Sequence, residues 1–301
     1  IELAANLGFD VVCYKTIRSK EFEGHPLPNV IYVDAKEQLL PKKLPKSLLM
    51  QDGAPKSLDE IAITNSFGMP SRSPQYLRKD IPLANSVIRP GQIMMVSIVG
   101  SSLSKDDFIT DFANTAKFAV ESGAKIIEAN FSCPNVSTGE GCLYYNPDAV
   151  LTITTRIVKS IGKIPLVLKM GLFPDFHSME KAFIAAAKGG AQGICGINTI
   201  SMKVMNKKGN PALGDDRVTS GICGAPIRQA ALEFIRDARR IIDRHKLNFT
   251  LLGVGGITLP EHFNQFLEAG ADIALTATGM MWDPFIALRY HQQENQYATD
   301  Q

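Results

Sequence analysis

The chain has 301 residues, 45% of them hydrophobic and 21% charged, with a formal net charge of +2. This is the composition of a globular protein and sets aside disordered and fibrous classes. The near-neutral charge gives no footprint for nucleic acid, and no run approaches the ~20 apolar residues that span a bilayer, so neither nucleic acid nor membrane is an expected partner.

The chain opens on IELAANLGF, a helical pattern without an initiator Met, so a segment before Ile1 is expected. From there, short runs rich in Val and Ile alternate with helical patterns. Buried parallel strands are expected at 10–15, 93–100, 126–132, 165–170, 193–198, 250–255 and 273–278. Helices are expected at 106–122, 148–161, 178–188, 226–245 and 260–268, most of them stopping near Gly123, Gly162, Gly189 and Gly270. Such alternation implies a parallel sheet in an α/β fold, either open and doubly wound or closed. Polar or small residues recur at strand C-termini (Lys15, Asn130, Lys169, Asn198, Gly255, Thr278), and a closed barrel would gather these at one mouth. The expected fold is therefore a single-domain (β/α)8 TIM barrel over 1–301 that lacks its first strand in this chain. Two segments break the alternation. Residues 18–76 are rich in proline, and 201–221 in Gly, Asp, Asn and Lys; both read as long loops over the barrel mouth.

Five cysteines occur, at 13, 133, 142, 195 and 223, with no Cys-x-x-Cys pair. They read as free thiols of a reducing cytoplasm, with no zinc or iron–sulfur site. The segment Asn130–Asn135 (NFSCPN) ends a strand and puts two carboxamides and the Cys133 thiol in one loop. Carboxamides suit the edge of an amide or imide ring, and a thiol there could act as acid or base. The competing reading is a buried, inert Cys among turn-forming residues. Lys169 and Lys15 close apolar strands; each is a candidate inward cation or a snorkelling side chain. Asn65–Pro70 (NSFGMP) holds Gly68 between Phe67 and Met69, as for close approach to a flat ligand, or simply as a turn. Gly253–Gly256 and Thr276–Gly279 end the last two strands and could cradle a phosphate, or be ordinary turns. The histidines show no metal spacing or triad.

Taken in order, these motifs resemble the dihydroorotate dehydrogenase family, over residues 1 to about 290. The resemblance rests on Cys13–Thr16, Glu23–Pro28, NSFGMP, NFSCPN, the Lys169 strand, Gly196–Thr199, Ser220–Gly224 and GVGGI. It implies an FMN enzyme that oxidises dihydroorotate to orotate in pyrimidine biosynthesis. Cys133 matches the family's catalytic base, with Cys as in the soluble class 1 members rather than Ser; it would take the C5 proton while hydride leaves C6 for the flavin. Lys169 is implied both at the reacting centre and on the flavin. Asn65, Phe67, Gly68, Met69, Asn130, Asn135, Asn198 and Thr199 match substrate contacts. Lys15, Thr16, Gly221, Gly224, Gly255, Gly256, Ala277 and Thr278 match flavin contacts. The resemblance also implies a cytoplasmic homodimer, with the acceptor open between fumarate and NAD through an electron-transfer subunit. There are departures: His25–Pro26 and Pro28–Asn29 stand where the family has Asn-Pro and Pro-Arg, and Ser71 follows NSFGMP in place of Asn. The loop at 201–221 is similar to flavin-dependent dihydropyrimidine dehydrogenases, which keeps a uracil or thymine substrate open. A non-redox phosphate-binding barrel and an inactive homologue also remain as alternatives.

Overall fold

A computed structural model describes residues 1–101, 105–132 and 143–299. Twelve strands lie among them: β1 (Val11–Ile17), β2 (Val30–Asp34), β3 (Leu48–Met50), β4 (Ala62–Asn65), β5 (Ile93–Ile98), β6 (Ile127–Asn130), β7 (Leu166–Lys169), β8 (Gly193–Gly196), β9 (Ile200–Met205), β10 (Thr219–Gly224), β11 (Thr250–Val254) and β12 (Ile273–Leu275). The helices are α1 (Glu2–Asn6), α2 (Pro74–Ser86), α3 (Lys105–Glu121), α4 (Pro147–Ile161), α5 (Phe176–Gly189), α6 (Arg228–His245), α7 (Glu261–Glu268), α8 (Thr278–Trp282) and α9 (Ile286–Thr299).

Seven strands form one sheet in the order β1-β5-β6-β7-β8-β11-β12, with parallel neighbours wherever the register is defined. Each falls within a run expected from the sequence or overlaps one. The reason is burial on both faces: five of the six residues of β5 and all four of β6 are buried, so continuous apolar runs survive as the signal. Helix ends are set by local chemistry. Asn146 caps α4 by accepting from the amides of Asp148 and Ala149, both at 3.1 Å, and Pro147 opens the helix. Asp175 caps α5 from Ser178 N at 2.8 Å. The stop of α5 is one residue later than expected: Gly189 is helical and packs against Thr154, whereas Gly190 takes the left-handed conformation at φ 92°.

The chain divides into two compact units. The first comprises residues 1–24, 69–195 and 237–251; the second comprises 25–68, 196–236 and 252–301. In the first, β1, β5, β6 and β7 carry the parallel sheet, α3 packs on β5 and β6, α4 packs on α3, and α5 on α4. Phe112 and Phe131 are fully buried here and meet edge to face at 5.6 Å. Each such side chain contributes roughly 1.5–3 kcal/mol by burial.

The second unit corrects the sequence reading of 18–76 and 201–221 as long loops. Five short strands drawn from those segments close on themselves in the order β10-β4-β2-β3-β9. The pairs are antiparallel except β3 with β9. These strands have only three to six residues, and β4 with β10 and β3 with β9 pair across about 150 positions, so local periodicity could not reveal them. No helix among the described residues is long and apolar enough to cross a membrane.

Candidate active site

In the first unit the parallel register lines up side chains from neighbouring strands. Asn130 pairs with Lys169, and Lys169 with Cys195. Two residues back on β6, Glu128 pairs with Ser97 on β5 and Val167 on β7. Alternation along a strand therefore puts Ser97, Glu128, Asn130, Lys169 and Cys195 on one face.

Strand β1 departs from strict alternation. Tyr14 pairs with Val96 and Ile17 with Ile98, so Lys15 and Thr16 together stand opposite Ser97. This is a β-bulge, two residues against one, and it is how two consecutive side chains serve the same stretch of sheet. Thr16 Oγ1 lies 3.0 Å from Ser97 Oγ. The Lys15 ammonium donates to the carbonyls of Thr16 and Pro70. Desolvation, and then the neighbouring Arg18, holds Lys15 below the ordinary lysine range.

Arg18 organises the segment that follows. Its Nε donates to the Met69 carbonyl at 2.9 Å, and its backbone amide donates to Ser71 Oγ at 3.1 Å. Its guanidinium lies 4.5 Å from the centroid of the Phe22 ring. Met69 is one of two non-glycine residues with positive φ, at 54°, among the described residues. Such a conformation is strained and persists only when its surroundings fix it. The Arg18 hydrogen bond does so from one side, and Asn130 Nδ2, 3.6 Å from Met69 Sδ, from another.

Glu128 is 2% exposed, and its Oε1 lies 3.9 Å from Cys13 Sγ. Burial and then the Glu128 charge push the Cys195 thiol up; Cys13 is exposed, and its thiol is pushed up by desolvation from the surrounding protein and then by Glu128, while Lys169 opposes both shifts. Neither cysteine is therefore poised as a thiolate.

In the second unit, Asn65 pairs with Gly221, and its Nδ2 donates to Cys223 Sγ at 2.9 Å. Thr64 and Ser220 hydroxyls meet at 2.6 Å in the buried face behind them. Thr199 packs on Gly221 so closely that a Cβ there would fall 2.8 Å from the Thr199 Cβ. Asn198 precedes Thr199 in the same connection after β8. Gly68, at φ 74°, leaves room for the His25 ring, and Phe67 beside it is part exposed. Gly224 ends β10 at φ 88°, beneath the Ile61 carbonyl. Gly255 and Gly256 follow β11 with φ of 130° and 83°. Ala277 and Thr278 begin α8, and Thr276 Oγ1 donates to the Ile257 carbonyl at 2.7 Å. Cys133 and Asn135 lie outside the described residues.

A family model described as dihydroorotate dehydrogenase matches residues 52–296. The dihydroorotate dehydrogenase of Dictyostelium discoideum is 50% identical over 299 residues, covering 97% of this chain and 80% of that protein. The chain belongs to the dihydroorotate dehydrogenase family. More distant relatives are matched over part of their length. The dihydroorotate dehydrogenase A (fumarate) of Limosilactobacillus reuteri is 32% identical across 61% of this chain and 56% of its own. The NAD-dependent dihydropyrimidine dehydrogenase subunit PreA of Escherichia coli is 29% identical across 64% and 46%.

In this dihydroorotate dehydrogenase family member the structure adds residues that the sequence reading passed over. Glu128 and Ser97 share a face with Asn130 and Lys169, and Arg18 fixes Met69. A carboxylate inside the apolar run IIEANF, two residues before Asn130, was the available signal for Glu128. Nothing local marked Arg18 or Ser97, because the bulge that brings Thr16 to Ser97 exists only in the paired sheet.

Proposed function

We propose that this chain oxidises dihydroorotate to orotate with FMN as its cofactor, within a (β/α)8 barrel to which the seven parallel strands belong. The observation that carries the reading is the residue set on one sheet face of the first unit: Lys15 and Thr16 at the bulge, with Asn130 and Lys169 in register. Two cations and a carboxamide grouped on a mostly apolar sheet suit an electron-rich, hydrogen-bonding ring.

The residues of the second unit fit a phosphate group. Consecutive glycines with positive φ, Gly255 and Gly256, leave the backbone of this turn without side-chain cover, and Cβ atoms there would fall 2.9 Å from Ala231 and 2.6 Å from Arg228. Close by in sequence, the Thr258 hydroxyl is buried and lacks a hydrogen-bond partner. Gly224, Gly255, Gly256, Ala277 and Thr278 would hold the phosphate; Lys15, Thr16 and Lys169 would hold the flavin ring.

When bound, FMN accepts the hydride equivalent released from C6 of the substrate. The chain's own groups do the rest. Cys133, in NFSCPN, takes the C5 proton. Asn65, Asn130, Asn135 and Asn198 read the amide edge of the pyrimidine. Arg18, anchored on the Met69 carbonyl, is a fixed positive charge of the first unit, and a substrate carboxylate needs such a charge whereas uracil does not. This favours dihydroorotate over an uncharged dihydropyrimidine. Fumarate is the acceptor to try first, in view of the relative named for it.

The test is anaerobic addition of dihydroorotate to protein loaded with FMN, followed by visible absorbance. Bleaching of the flavin bands within the mixing time supports the reading. A flavoprotein bleached only by dihydrouracil or dihydrothymine overturns the substrate, and a protein that takes up no FMN overturns the cofactor.

A further inference from the structure

We infer that Arg228, His262 and Asp59 form a buttress that holds the Gly255–Gly256 turn in its phosphate-accepting shape, making Arg228 and His262 positioning residues for the flavin phosphate. The inference rests on the phosphate reading given above.

The three side chains interlock. Arg228 Nη1 donates to Asp59 Oδ1 at 2.9 Å and to His262 Nδ1 at 3.0 Å, and lies 3.4 Å from the Gly256 carbonyl. His262 Nδ1 also accepts from the amides of Thr258 and Leu259, at 3.3 and 3.2 Å. A nitrogen that accepts from these donors carries no proton, so the ring hydrogen sits on Nε2, which faces Asp59 Oδ1 at 3.4 Å. One imidazole therefore ties together both sides of the turn: the residues after it, through Thr258 and Leu259, and the carbonyl of Gly256, through Arg228.

Packing supports the same reading. A Cβ on Gly256 would fall 2.6 to 2.7 Å from the Cβ, Cα and N of Arg228, so the turn rests directly on the first residue of α6. His262 is 4% exposed, and burial, followed by the Arg228 charge, holds it below the ordinary histidine range, in the neutral form this geometry requires. Two charges oppose the shift: Asp59, and then Glu261, the ring's neighbour in α7. Aliphatic packing would fill this space with no desolvation cost. A buried neutral histidine that accepts two loop amides has a specific use, which is to fix the backbone of that loop.

A phosphate-specific role separates from a general structural one by comparing two ligands. FMN carries the phosphate and riboflavin does not. Binding of each to apoprotein is read by quenching of flavin fluorescence, with the thermal midpoint of each apoprotein measured alongside. His262→Leu and Arg228→Met should weaken FMN about tenfold or more, the loss expected when buried amides go unpaired, and leave riboflavin within about twofold. His262→Asn keeps an acceptor near the Nδ1 position and should recover FMN binding to within about threefold. Equal weakening of both flavins, unchanged FMN affinity in His262→Leu, or no recovery in His262→Asn would overturn the buttress. Wild-type protein that binds neither flavin would instead overturn the flavin reading on which it rests.

Discussion

Replacing Gly224 with alanine tests how the closed five-stranded unit is joined. Gly224 pairs with Ala62 at the end of β10 and has φ of 88°, a region that costs an L-residue roughly 1–2 kcal/mol. An added methyl would sit 3.0 Å from the Ile61 carbonyl carbon and closer still to its oxygen, which already accepts from Ala225 N at 2.7 Å. Backbone cannot rotate out of the way as a side chain does, so overpacking adds roughly 1–3 kcal/mol. The sum is roughly 2–5 kcal/mol. Gly53→Ala provides the internal reference. Its φ is 80° and nothing lies within 4 Å of the added methyl, so it carries the conformational cost alone, roughly 1–2 kcal/mol. The assay is urea unfolding read by the single tryptophan, Trp282, which donates to Tyr32 Oη at 2.8 Å within the same unit. Gly224→Ala should lower the midpoint clearly further than Gly53→Ala at an unchanged slope. Equal midpoints for the two variants would refute the argument from backbone overlap.

Other expectations are independent of that one. Cys133→Ser should cut flavin reduction by dihydroorotate by roughly 100-fold or more at pH 7, since a hydroxyl is a far weaker base; stopped-flow bleaching measures it, and full retention of rate would remove Cys133 from the role. Arg18→Met should raise KM for dihydroorotate by roughly tenfold or more, as loss of a charge-assisted contact implies, while leaving reduction by uncharged dihydrouracil no worse. Glu128→Gln removes a charge that holds the Cys13 thiol up, so alkylation of Cys13 by iodoacetamide, followed by peptide mass spectrometry, should quicken several-fold. Burial, and then the Arg228 charge, holds His262 in the folded state below the ordinary histidine value of about 6.5, so the unfolded chain takes up the proton first as pH falls. Its contribution to stability is present above pH 6.5 and is lost as pH drops from there toward the folded-state value. The unfolding midpoint of wild type should decline across that window more than that of His262→Asn.

The sequence by itself determined the parallel α/β sheet and the chemistry of its strand ends. Buried parallel strands are continuous apolar runs, and a Lys or Asn closing such a run stands out, as Lys169 and Asn130 do. Motifs such as NFSCPN and GVGGI are also local, so the family could be read from them. What the tertiary structure decided was whatever depends on pairing between distant segments. The small closed unit arises from strands too short to show periodicity. The bulge that places Lys15 and Thr16 opposite Ser97 is a property of the β1–β5 register, and alternation alone would send one of the two side chains to the other face. Asp59, Arg228 and His262 are separated by up to about 200 positions and carry no motif; only the turn after β11, resting on the start of α6, brings them within hydrogen-bond reach. Local periodicity records which face of an element is buried, whereas the partners across that face are fixed only when the chain closes.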